Sequence, residues 1–213
     1  MRTIIFANGD PPDRTTITQW LTPVDRIIAA DGGTRHALAT DIMPQVVIGD
    51  LDSLTEADRA QLERAGVKLI IHPTRKNYTD LELAIRHALE EGATQLTIFC
   101  ALGGRWDQSL ANLMLLTLPE LAAIPTWIVQ GNTTIRVIRD RAQLTGQVGD
   151  GLSLIALQGD VHGVTIEGVE YPLSEATLPF GATLGISNVF TQPSVKITIK
   201  QGLILAVHTT GEK

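Results

Sequence analysis

Over the first 131 residues, short apolar runs alternate with longer stretches of helical period, and nothing else in the sequence narrows the fold as much. Strands spaced this far apart cannot be joined as hairpins; they cross over helices and pair in parallel. The runs predict strands at Thr3–Ala7, Arg26–Ala30, Val46–Gly49, Lys68–His72, Gln95–Phe99 and Thr126–Gln130. Between them the period predicts helices at Arg14–Leu21, Thr34–Thr40, Thr55–Ala65, Asp80–Glu91 and Asp107–Leu116. Ser53 with Glu56, and Thr79 with Glu82, have capping-box spacing, in which hydroxyl and carboxylate each satisfy one orphan backbone N–H.

After Gly131-Asn132 the pattern changes. Ten of the 19 glycines lie from Gly146 onward, and Val195, Ile197 and Ile199 alternate with Lys196, Thr198 and Lys200 as on a half-buried strand. Further strands are expected at Gly151–Ala156, Val161–Glu167, Leu184–Asn188 and Leu203–Val207. The expectation is a doubly wound, three-layer α/β domain over residues 1–131 and a smaller all-β sandwich or barrel over 132–213.

Composition excludes several function classes. A net charge of -6 without a clustered basic surface argues against nucleic acid as a partner. No apolar run exceeds five residues, where a membrane span needs about 20, so a soluble, cytoplasmic protein is expected. The single cysteine, Cys100, forbids an internal disulfide and reads as core.

In doubly wound sheets ligands bind beyond the carboxyl ends of the strands. There the sequence places Asn8-Gly9-Asp10, Asp31-Gly32-Gly33, Gly49-Asp50-Leu51-Asp52-Ser53, Lys76-Asn77-Tyr78-Thr79-Asp80 and Gly103-Gly104-Arg105-Trp106-Asp107. Asp50 and Asp52, two apart, can share a hard cation, and Asp31 and Asp80 can complete the cluster; Mg²⁺ takes one or two carboxylates together with substrate phosphates. Arg35, Lys76 and Arg105 supply positive charge for a transferred phosphate, while the glycine pairs allow close backbone approach. Any one of these aspartates is as readily a turn or cap residue, and Ser53 and Thr79 read as caps. The repetition over five strand ends favours a metal and phosphate site. The sequence contains neither G-x-x-x-x-G-K-[ST] nor G-x-G-x-x-G.

In order and spacing, these motifs, followed by Leu110-Ala111-Asn112 and later by Tyr171-Pro172-Leu173 and Gly185-Ile186-Ser187-Asn188, resemble the motif series of the thiamine pyrophosphokinases. The resemblance implies ATP-dependent diphosphoryl transfer to thiamine, with AMP released, by a homodimer that forms its sites across the two chains. It implies that Asp50, Asp52 and Asp80 hold Mg²⁺, and that Asp31, Lys76, Arg105 and Asp107 surround the phosphates. Gly32 and Gly33 would lie near the nucleotide, with Asn8, Arg35, Ser53 and Thr79 as further candidates on that side; Tyr171, Ser187 and Asn188 would face thiamine.

Two positions depart from the family's usual pattern, which has a second acid at Asn77 and a histidine at Gln108. The loss of an acid at Asn77 is expected to weaken metal binding. A pyrophosphokinase of the same fold acting on another alcohol, such as a hydroxymethylpterin, and a nucleotide-binding regulator without catalysis are the alternative readings.

Overall fold

The computed structural model describes residues 1–12 and 14–211, so the last two residues of the expected second domain lie outside the described part. The chain divides into two compact units, Met1–Gly131 and Asn132–Lys213.

In the first unit, strands β1 (Arg2–Phe6), β2 (Arg26–Ala30), β3 (Val46–Gly49), β4 (Lys68–Ile71), β5 (Gln95–Phe99) and β6 (Thr126–Gln130) form a wholly parallel sheet in the order β4-β3-β2-β1-β5-β6. The helices α1 (Arg14–Trp20), α2 (Gly33–Ala39), α3 (Glu56–Arg64), α4 (Asp80–Glu90) and α5 (Trp106–Leu115) are the crossovers. Pleating sends alternate side chains to opposite faces. Ile4, Phe6, Ile27, Ala29 and Val47 pack with Ile17 of α1, Ala37 of α2 and Leu62 of α3 in one core. Helix α4 covers β1, β2 and β3 and buries Leu81, Ala84, Ile85 and Ala88. Chain order reverses between β1 and β5, the place where a doubly wound sheet opens a crevice at its carboxyl edge.

The predicted strands and helices of this unit agree with the observed ones to within a residue or so at each end, whereas neither predicted capping box forms. Helix α3 is capped by Thr55, whose hydroxyl accepts from Asp58 N while Asp58 reaches back to Thr55 N, and not by Ser53 with Glu56. The turn at Leu51–Leu54 buries both leucines and delays the helix. Thr79 caps α4 through Glu82 N, but the Glu82 carboxylate accepts from Arg86 instead of returning to Thr79.

The second unit is antiparallel, with strands β7 (Thr133–Ile138), β8 (Arg141–Thr145), β9 (Gly151–Glu167), β10 (Leu173–Leu178), β11 (Asn188–Val189), β12 (Ser194–Thr198) and β13 (Gln201–Thr209). The first half of β9 pairs with β13 and β11, and β13 with β7; its second half pairs with β10 and β12, and β12 with β8. What the sequence predicts as two strands is one, bent where Gln158 and Gly159 take positive φ and passing from one sheet to the other. Leu154, Val161, Ile166, Phe190, Val195, Ile197 and Ile204 share its core. The predicted strand at Leu184–Asn188 is mostly irregular, with Leu184 exposed and only Asn188 entering a pair.

Candidate active site

The carboxyl ends of the parallel strands surround a cavity of about 500 Å³, and all the residues that line it belong to the first unit. The backbone is strained here: Asp31, Leu51 and Cys100, just beyond β2, β3 and β5, have φ of 42°, 60° and 58°, a region that disfavours side chains. Gly49 makes Asp31 possible, because a Cβ at Gly49 would lie 2.8 Å from that of Asp31.

Asp31, Asp50 and Asp52 converge, each able to place one oxygen within 4.8 Å of the others. Asp31 is only 8% exposed, with one oxygen accepting from the Ser53 hydroxyl at 2.5 Å. Its other oxygen is buried and has no hydrogen-bond partner among the described residues. A buried carboxylate oxygen left unpaired beside two further carboxylates is costly unless a cation takes it up, so this donor set fits a hard divalent ion. Burial works to raise the Asp50 pKa, but the Asp52 backbone N–H, the Thr74 hydroxyl and the Lys76 ammonium outweigh it and hold the carboxyl below its ordinary value.

Asp80 stands outside this trio. It lines the same cavity as the first residue of α4 and pairs with Lys76, Nζ to carboxylate 2.9 Å. Arg105 is on the wall with its guanidinium engaged by Asp107 at 3.0 and 2.6 Å, and this pairing holds the exposed Asp107 carboxyl down at about 2. Asp107 itself is not on the wall.

Asn8 and Thr79 line the cavity, whereas Arg35 is exposed away from it and Ser53 serves Asp31. Gly32 and Gly33 are not on the wall either; their close approach is made to protein. A Cβ on Gly32 would meet the Asn8 side chain at 2.4 Å, and one on Gly33 would meet the Phe6 carbonyl oxygen at 2.1 Å. The glycines let α2 start against β1. Asn77 is exposed and off the wall, while Gln108 lines it.

In the second unit Tyr171 is 62% exposed. Asn188 is buried, and its amide holds the Tyr171 backbone from both sides, accepting from Tyr171 N at 3.0 Å and donating to Tyr171 O at 2.8 Å. Asn188 therefore positions Tyr171. Ser187 is exposed at φ 60° with its backbone N–H on the Ser153 hydroxyl.

Sequence reasoning omitted Ser109 and Asn112 from the site. These polar residues are the buried ones on α5. Ser109 bonds both backbone groups of Gly103, and Asn112 donates to Ala101 O at 2.7 Å while its own oxygen is buried without a partner among the described residues. Periodicity could not have found them, because the apolar residues that it would turn inward, Trp106, Leu110 and Met114, are the exposed ones. His36 was also passed over: its Nε2 lies 2.9 Å from the Gly9 carbonyl and donates to it, steadying the β1 loop, while burial lowers its pKa.

Comparison with known proteins follows the same two units. The family model described as "Thiamin pyrophosphokinase, catalytic domain" matches residues 17–128, and "Thiamin pyrophosphokinase, vitamin B1 binding domain" matches 132–204. A thiamine pyrophosphokinase of Bacillus subtilis is 31% identical over 99% of this chain and 100% of its own length. The crystal structure of a thiamine pyrophosphokinase from Bacillus subtilis matches with a TM-score of 0.89 at 27% identity, covering 99% of each chain. That of a thiamin pyrophosphokinase from Geobacillus thermodenitrificans matches with a TM-score of 0.86 at 26% identity, covering 100% of this chain and 99% of the other.

Proposed function

The chain belongs to the thiamin pyrophosphokinase family, and from that premise we propose that it transfers a diphosphoryl group from ATP to the hydroxyethyl oxygen of thiamine, giving thiamine diphosphate and AMP. The observation that carries this reading is the convergence of Asp31, Asp50 and Asp52, the first two on the wall of a cavity that also presents Lys76 and Arg105. Carboxylates alone would repel a nucleotide; carboxylates that gather a divalent ion beside two cations hold its phosphates.

Asp31, Asp50 and Asp52 would hold Mg²⁺, which when bound neutralises charge on the phosphate oxygens. Lys76, held by Asp80, and Arg105, held by Asp107, stabilise the charge that develops as the thiamine oxygen bonds to the β-phosphorus and the bond from that phosphorus to the AMP oxygen breaks. AMP leaves with the electron pair, and the hydroxyl releases its proton. Asn8 and Thr79 sit on the nucleotide side. Tyr171 and Ser187, exposed on the second unit, are the thiamine contacts, and thiamine's positive charge suits an aromatic face. The active form is a homodimer in the cytoplasm.

The test is AMP formation from ATP and Mg²⁺, with and without thiamine, by wild type and Asp52→Ala. Thiamine-dependent AMP that disappears in the variant is expected. AMP formed equally without thiamine, or with a hydroxymethylpterin in its place, would overturn the assignment, as would ATP binding without turnover.

A further inference from the structure

Tyr78 has no role in the chemistry above, yet it lies on the cavity wall between Lys76 and Asp80 and is 47% exposed. Its hydroxyl hydrogen-bonds to no described residue. Its ring is nonetheless held: the Arg86 guanidinium lies 5.0 Å from the ring centroid. Arg86 is itself fixed by Glu82, through Nε at 3.1 Å and a terminal nitrogen at 2.8 Å, and by Glu120 at 3.1 Å. One ring face is therefore taken by a braced cation. The other remains for a ligand beside the phosphate-binding groups.

We propose that this free face of Tyr78 stacks the base of the nucleotide, so that the base is recognised by its π-surface and not by its edge; the proposal rests on reading the cavity as a nucleotide site. The charge arrangement selects the occupant. A guanidinium behind the ring draws on the same negative quadrupole that would attract a second cation, and like charges on the two faces oppose each other. The thiazolium of thiamine is thus disfavoured on Tyr78, and a neutral heteroaromatic base is accepted. Lys76 and Asp80, two residues away on either side, keep that base next to groups that handle phosphates. Because every base has a π-face, stacking on Tyr78 binds purine nucleotides with little regard to their edge groups.

The experiment is calorimetric titration of wild type, Tyr78→Ala and Tyr78→Phe with Mg²⁺-ATP, Mg²⁺-GTP, Mg²⁺-tripolyphosphate and thiamine, each ligand alone. Base stacking measured by alanine substitution predicts that Tyr78→Ala weakens ATP and GTP by similar factors of about 5- to 160-fold. Tripolyphosphate, which has no base, and thiamine should bind the variant as they bind wild type, and Tyr78→Phe should retain wild-type affinity for ATP. Unchanged ATP affinity in Tyr78→Ala overturns the proposal. So does an equal loss for tripolyphosphate, which would mark general damage to the wall, or a loss confined to thiamine. The catalytic reading is judged separately by thiamine-dependent AMP formation in wild type. If wild type forms no AMP while Tyr78→Ala loses ATP, that reading falls and the stacking surface stands.

Discussion

Replacing Asp52 by asparagine should make the protein more stable without Mg²⁺ and less stable with it. Asp52 shares a 4.8 Å cluster with Asp31 and Asp50, so it takes part in two like-charge pairs. At that separation each pair costs about 1 kcal/mol in water and more where solvent is partly excluded. Asp52 is exposed and Lys76 offsets some of the field at Asp50, which keeps the estimate at the aqueous end. Removing the charge, while keeping the side chain's shape, should recover about 1–2 kcal/mol, or about 2–8 °C in melting temperature for a chain of this length.

Binding reverses the order. With Mg²⁺ at about 100 times its dissociation constant, linkage adds about 2.7 kcal/mol to wild type. The variant, short of one ligand, gains little. Thermal melts at low ionic strength, with chelator and across a Mg²⁺ series, should therefore cross. In chelator the difference should also shrink at about 1 M salt, where screening acts over about 3 Å. A variant that melts at or below wild type in chelator, or that gains as much from Mg²⁺, would refute the idea that these carboxylates are assembled against their own repulsion for an ion.

The close approach of α2 to β1 predicts that Gly33→Ala, with its new Cβ 2.1 Å from the Phe6 carbonyl oxygen, costs roughly 1–3 kcal/mol or more in urea unfolding. Gly104→Ala, whose Cβ would meet nothing within 4 Å, should stay within about 0.5 kcal/mol of wild type. Burial pushes the Cys100 thiol up to about 12, so a disulfide reagent at pH 8 should leave the native protein unmodified and label it in denaturant. Burial works to raise the Asp150 carboxyl, but the Gln147 and Gly211 backbone N–H groups and the His208 ring outweigh it and hold it below its ordinary value. A group lowered in the folded state stabilises above its unfolded pKa and loses that contribution as pH falls through the folded one. Melting temperature should therefore fall more steeply below about pH 4 in wild type than in Asp150→Asn, and equal slopes would exclude Asp150 as a source of acid sensitivity.

How far the sequence could be read depended on whether a segment's partners were implied by its own pattern. The central parallel strands β1, β2, β3 and β5 are buried on both faces and bounded by helices, so their apolar runs mark them unaided. The bend in β9 is different: Gln158-Gly159-Asp160 reads locally as a turn, and only pairing with β13 on one side and with β10 and β12 on the other reveals a continuous strand. Leu184 and Ile186 alternate like strand residues but face no partner strand. Strand β8, with Arg141, Gln143 and Thr145 outward, presents too little apolar sequence to announce itself.

The same reasoning separates what could and could not be read of the site. That carboxylates gather at strand ends follows from counting along the chain. Which of them meet does not, because it is decided by cations and hydroxyls brought from other segments. Lys76 takes Asp80 at 2.9 Å, while Ser53 takes one oxygen of Asp31 and leaves the other buried and, among the described residues, unpaired beside Asp50 and Asp52. Spacing alone treats Asp31 and Asp80 as interchangeable. The difference is physical: an aspartate whose charge is met by a lysine has less to offer a metal, and one buried without such a partner has most to gain from it. Charge reversal at the lysine tests that division. Lys76→Glu should deprive Asp80 of its counter-ion and raise nucleotide KM, while the Mg²⁺-dependent gain in melting temperature, carried by Asp31, Asp50 and Asp52, persists. Asp80→Asn should keep that gain as well, and its loss there would place Asp80 among the ligands after all.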